Sequence, residues 1–94
     1  MEPISPRHQR IARIEEIRMW ADDLLSLVNR ESMKSHVHKA VDDLDEAMEW
    51  LNAPDIDQRP QLLNMVDASI KFAMQRLAHI EKTLVDRGSD ATFI

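Results

Sequence analysis

Apolar residues recur along this chain in alternating steps of three and four, in three separate runs. The central run, Met33 to Ala53, reads MKSHVHKAVDDLDEAMEWLNA and places Met33, Val37, Ala40, Leu44, Ala47 and Leu51 on one line. Val41 and Met48 widen that line into a stripe. Asp42, Asp43, Asp45, Glu46 and Glu49 fall on the other side. This is the pattern of an amphipathic helix packed along its length against other helices. Trp50 sits beside the seam, where an indole seals a helix–helix edge.

The first run carries Ile14, Ile17, Ala21, Leu24 and Val28 at the same spacing, widened by Ile11, Leu25 and Leu27. Ser5 suits the N-cap and Pro6 the first helical position. Arg10 continues the apolar line one turn before Ile14, so its cation either overhangs into solvent or faces an anion. The two runs join at Asn29 to Ser32, where Asn29 and Ser32 suit a turn and a cap although no glycine or proline stands there. One unbroken helix through residue 53 would be unusually long for a compact domain, so a helical hairpin is expected. Pro54-Asp55-Ile56-Asp57 is a stop and restart, with Asp57 placed to cap the third helix and Pro60 tolerated in its first turn.

The third run aligns Leu63, Val66, Ile70, Ala73, Leu77, Ile80 and Leu84, with Met65, Phe72 and Met74 off that line and Gly88 where a left-handed C-cap belongs. No strand pattern, internal repeat or low-complexity segment appears. The expected architecture is one all-α domain over 1–94, a small helical bundle built on an antiparallel hairpin plus a long third helix. Helices are expected at 6–29, 32–53 and 58–87, with a tail at 88–94. The third helix would span about 45 Å against about 33 Å for the central one. The surplus stripe predicts cover from a second copy, hence a homo-oligomer. The tail SDATFI could add to that contact by docking Phe93-Ile94 on a neighbouring subunit.

Size sharpens this expectation, because 94 residues bury only roughly 60–65% of their extended surface. The absence of cysteine excludes disulfides, thiolate metal sites and cysteine nucleophiles. Arg7, His8, Arg10 and Arg13 interrupt the one region that could host a signal peptide, and no apolar run reaches the ~20 residues of a membrane span. A cytoplasmic protein without membrane contact is expected. The net charge of −5 argues against binding a nucleic-acid duplex, whose affinity rests on neutralising phosphates. The charge is uneven. Residues 7–13 hold three arginines and no acid, whereas 41–57 hold acids and no base. A cationic end of this kind can take a small anion or an acidic partner, or can pair with acids of the same bundle.

Three constellations bear on chemistry. His36 and His38 are two apart, so on a helix they point away from each other and cannot clamp one metal; His38 with Asp42 has i, i+4 spacing but no third ligand. No metal site and no cofactor is expected. Asp22 and Asp23 with Asp42, Asp45, Glu46 and Glu49 could hold a divalent cation if they met in a cleft, but the second-helix acids lie opposite the apolar seam and read as a solvated face. No nucleophile–base pair is visible, and the only glycine is Gly88, so there is no phosphate-cradling loop. Catalysis is not expected. The third constellation is Arg7, Arg10, Arg13 and Arg18 with Trp20, which could bind phosphates through guanidinium forks and stack a base on the indole. Lys34, His36, His38 and Lys39 could join them where subunits meet.

The run from Pro6 to Arg18 (PRHQRIARIEEIR), the following DDLLSLV, and the ending Leu44-Asp45-Glu46-Ala47, Trp50, Asn52-Ala53 resemble the helical-hairpin domain of phage cyclic-nucleotide sponges, the anti-CBASS and anti-Thoeris proteins. The likeness covers residues 6–53. It implies a small α-helical phage protein acting in the host cytoplasm. Such proteins form homo-oligomers that sequester cyclic oligonucleotide signals between subunits without cleaving them. Ile14 stands where the family carries an aromatic, and the arginine of the family's Ser-Arg-Glu opening is missing at Ser35-His36. Two functions follow as expectations. One is a non-catalytic sponge for a cyclic di- or trinucleotide, with Arg7, Arg10, Arg13, Arg18 and Trp20 as ligand-binding residues. The other is a helical adaptor that binds or blocks a host protein and has no small ligand.

Overall fold

The structure, a computed structural model, describes residues 4–86. Three helices, α1 (Pro6–Leu27), α2 (Glu31–Leu51) and α3 (Pro60–Asp86), form an all-α bundle with a single 3₁₀ turn at Ile56–Gln58 before α3. α1 and α2 make the expected hairpin, and α3 runs back alongside both. The bundle is elongated, with principal extents of 52 × 28 × 17 Å. None of these helices is long and apolar enough to cross a membrane.

The three seams meet in one core. Ile14, Ile17, Ala21 and Leu24 of α1 pack with Val37, Ala40, Leu44, Ala47 and Leu51 of α2 and with the whole α3 line from Leu63 to Leu84. No polar or charged residue is buried among the described residues. Ala21, Ala40, Ala47 and Ala73 are wholly buried, which lets the backbones approach closely. Trp50 and Trp20 lie half-buried against the edge of this core.

Local chemistry sets the boundaries. The Ser5 hydroxyl accepts from the His8 N–H at 3.2 Å, with Pro6 opening α1. α1 ends two residues earlier than the spacing predicts because Val28 turns extended (φ −97°, ψ 130°) and is buried, so the core takes a β-branched side chain in place of a further helical turn. α2 starts at Glu31. Arg30 is its N-cap residue and no side chain caps the turn, while Ser32, expected as a cap, lies inside the helix. After α2 the chain tightens, Asn52 and Ala53 donating to the carbonyls of Glu49 and Trp50 at 3.1 Å. Asp55 then takes the left-handed conformation (φ 55°, ψ 35°) and reverses the chain into the 3₁₀ turn.

One expectation is corrected here, and another loses the ground it rested on. Asp57 does not cap α3. It lies in the 3₁₀ turn, and its Oδ1 accepts the Arg7 N–H of α1 at 2.8 Å, while the Arg59 carbonyl accepts the first α3 bond from Leu63. The second concerns the surplus stripe of α3. Every residue from Leu63 to Leu84 on that line is at most 8% exposed within one chain. The 3₁₀ turn packs on both α1 and α3 and buries Ile56, while Val28 extends the core beyond the end of α1. The interhelix connections cover what the two shorter helices do not, so the seam needs no second copy. Arg87, Gly88 and the Phe93-Ile94 tail lie outside the described residues.

Candidate functional site

The five residues singled out on α1 divide into two rows. Arg7 and Arg18 reach toward α2, and Arg10, Arg13 and Trp20 toward α3, as helical spacing requires. Arg10 grips Asp67 with two bonds, Nε to Oδ1 at 2.8 Å and Nη2 to Oδ2 at 2.9 Å, and donates through Nη1 to the Pro6 carbonyl at 3.1 Å. Arg18 pairs with Asp45 through Nη2. Arg7 donates from Nε to the Leu51 carbonyl at 3.1 Å, satisfying an acceptor at the end of α2. Arg13 meets no carboxylate; its Nη2 lies 3.4 Å from the Met74 sulfur. Trp20 donates from its indole nitrogen to Glu81 Oε2 at 2.6 Å.

Ion pairing within the bundle therefore engages Arg10 and Arg18, and α1 does not bring the four guanidiniums to one place. Of the second set, Lys34 lies 3.8 Å from Glu31, and His38 and Lys39 are exposed. The acids do not meet in a cleft: Asp22, Asp23, Asp42, Asp45, Glu46 and Glu49 are all exposed. Among the described residues no group of three or more histidines and carboxylates could hold a metal ion.

Two grooves lie between helices, each of about 410 Å³. The first lies between the C-terminal halves of α1 and α3. Trp20, Leu24 and Leu27 line one wall and Leu84 and Val85 the other, with the acids Asp23 and Glu81 at the rim. Leu27 and Val85 are 46% and 73% exposed. Of the five ligand-binding residues expected from the sequence, Trp20 alone lines this groove.

The second groove runs between α2 and α3, bounded by His36, Asp43, Phe72, Gln75, Arg76 and His79. Arg76 Nε donates to Asp43 Oδ2 at 3.2 Å. Apart from His36, which entered as a possible companion to the arginines, these residues were not singled out for binding. Their signal is a second periodicity on α3, because Phe72, Gln75, Arg76 and His79 repeat at i, i+3, i+4 and i+7 on the face away from the seam. Comparison with protein-family models, curated proteins and solved structures finds no match to this chain.

Proposed function

We propose that this chain is a non-catalytic binding protein that captures a basic amphipathic helix of a partner protein in the groove between α1 and α3. The observation that carries this reading is an open apolar trough whose charged lining residues, among those described, are both acidic. An anchor side chain seated between Leu27 and Val85 would cover surface that water now reaches, at about 25 cal/mol per Å² of apolar area. Asp23 and Glu81 line the groove, and no base is among the lining residues. Basic flanks on the anchor would complement that rim and speed the encounter.

Trp20 makes the test direct. In a Trp50→Phe background its fluorescence reports the groove. A synthetic helix with leucines on one face and lysines on the other should shift that emission at micromolar concentration. The same helix with glutamates in place of lysines should bind at least tenfold more weakly, and Leu27→Asp or Val85→Asp should abolish the response. Equal responses to both helices, or an undiminished response in the variants, would overturn the reading.

The cyclic-nucleotide reading is the second proposal, and Arg13 favours it as an exposed guanidinium with no carboxylate partner among the described residues. A thermal-shift screen against cyclic di- and trinucleotides tests it, since a ligand bound only by the native state raises the melting temperature. No shift with any of them would retire it.

A further inference from the structure

The groove between α2 and α3 combines groups that one small molecule could use together. Phe72 is 58% exposed, an unusual placement for a phenyl ring in a chain with only 4% aromatic residues. One turn further on stands Arg76. Asp43 takes its Nε, and its two terminal nitrogens have no acceptor among the described residues. That bond fixes the guanidinium by one edge and leaves the other edge, with its pair of parallel N–H groups, to an outside acceptor. The side chains of His36 on α2 and His79 on α3 make no hydrogen bond or ion pair among the described residues, and an imidazole always carries at least one N–H donor. Gln75 adds an amide.

Charge within the groove is balanced rather than acidic: α2 is rich in acids, but α3 carries Lys71, Arg76 and Lys82. Its acids before Val85 are Asp67, held by Arg10, and Glu81, which lies at the other groove. Asp43 is the single carboxylate lining the α2–α3 groove, and it is the group that holds Arg76. The volume of about 410 Å³ falls in the range of small-molecule pockets.

We infer that this groove binds a planar aromatic anion, its ring laid against Phe72 and its acid group on the terminal N–H pair of Arg76, with His36 and His79 donating from either side. The acid group is a carboxylate or a phosphate ester, because either presents the paired oxygens that the guanidinium edge meets. The site is separate from the α1–α3 groove and stands or falls independently of the partner helix proposed there.

The test is a titration of the ¹⁵N-labelled full chain with 1-naphthyl phosphate, 1-naphthoate and inorganic phosphate, read by amide shifts. The two naphthyl probes are expected to move residues around 36, 72, 76 and 79 saturably, and inorganic phosphate to move them at least tenfold more weakly. The stronger of the two naphthyl probes identifies which acid group the site takes. Phe72→Ala and Arg76→Gln should each weaken binding at least tenfold, while Arg76→Lys, which keeps the charge but loses the fork, should fall between. Both side chains are exposed, so an unchanged spectrum elsewhere will show that the variants fold. Shifts scattered outside the groove, inorganic phosphate matching the naphthyl probes, or variants binding as well as the parent would overturn the assignment.

Discussion

Arg10 and Asp67 face each other across α1 and α3 in a two-bonded fork, 57 positions apart in sequence. The arginine continues the apolar line of α1 and is only 20% exposed at its side chain, while Asp67 is 51% exposed. The seam position that calls for an anion has one supplied by the neighbouring helix. Both partners keep solvent contact, so the pair is worth about 1 kcal/mol, toward the upper end for surface ion pairs because the geometry is bidentate. Arg10→Ala and Asp67→Ala should each lower stability in urea. The double variant should show a coupling of about 1 kcal/mol, and strictly additive losses would show that the fork contributes nothing.

The burial of the α3 seam within one chain makes a separate prediction about assembly. If α1, α2 and the 3₁₀ turn suffice as cover, the urea midpoint of the parent chain should not change with protein concentration between about 1 and 100 µM. Leu77 is wholly buried, so Leu77→Ala should cost about 2–5 kcal/mol and Leu77→Asp should unfold the chain. A midpoint that climbs with concentration would mean that folding depends on a second copy.

Asp55 holds the single positive φ among the described non-glycine residues. A left-handed backbone costs an ordinary L-residue roughly 1–2 kcal/mol, less for aspartate and nothing for glycine. Asp55→Gly should therefore leave stability unchanged or raise it slightly, whereas Asp55→Val should lower it by about 1–2 kcal/mol. Thermal melts that rank valine above glycine would contradict the turn geometry.

What was legible in the chain follows from range. The seams from Ile14 to Leu24, Val37 to Leu51 and Leu63 to Leu84 are local periodicities, and each proves buried because a helix must hide such a stripe. The hairpin break was legible only from length, since Val28 ends α1 by entering a core assembled from distant residues. The reach of Asp57 to Arg7 could not be read at all. Asp57 looks like a helix cap to its own neighbours, and only the packing of the 3₁₀ turn on α1 redirects it. Candidate sites obeyed the same division. Whether Arg10 and Arg18 meet acids of the bundle or a ligand is open in the sequence, because their acids, Asp67 and Asp45, lie on other helices. The α2–α3 groove joins residues that no single stretch places together.

The Asp57 contact supports the last prediction. Arg7 is the second residue of α1, and its N–H is one of those a helix leaves without an internal acceptor. Ser5 satisfies the N–H of His8, and Asp57, arriving from the 3₁₀ turn, satisfies that of Arg7. A carboxylate at this end also meets the positive pole of the helix. Asp57→Ala should therefore cost about 1 kcal/mol, in the range of other lost caps. Asp57→Asn keeps an acceptor and should recover part of that. The local signature is more telling than the total. Amide exchange at Arg7 should quicken in Asp57→Ala while exchange in the middle of α3 changes only with global stability. An Arg7 amide exchanging at the same rate in both proteins would mean that the 3₁₀ turn does not hold the start of α1, and the cover it gives the first turn of α3 would then need another source.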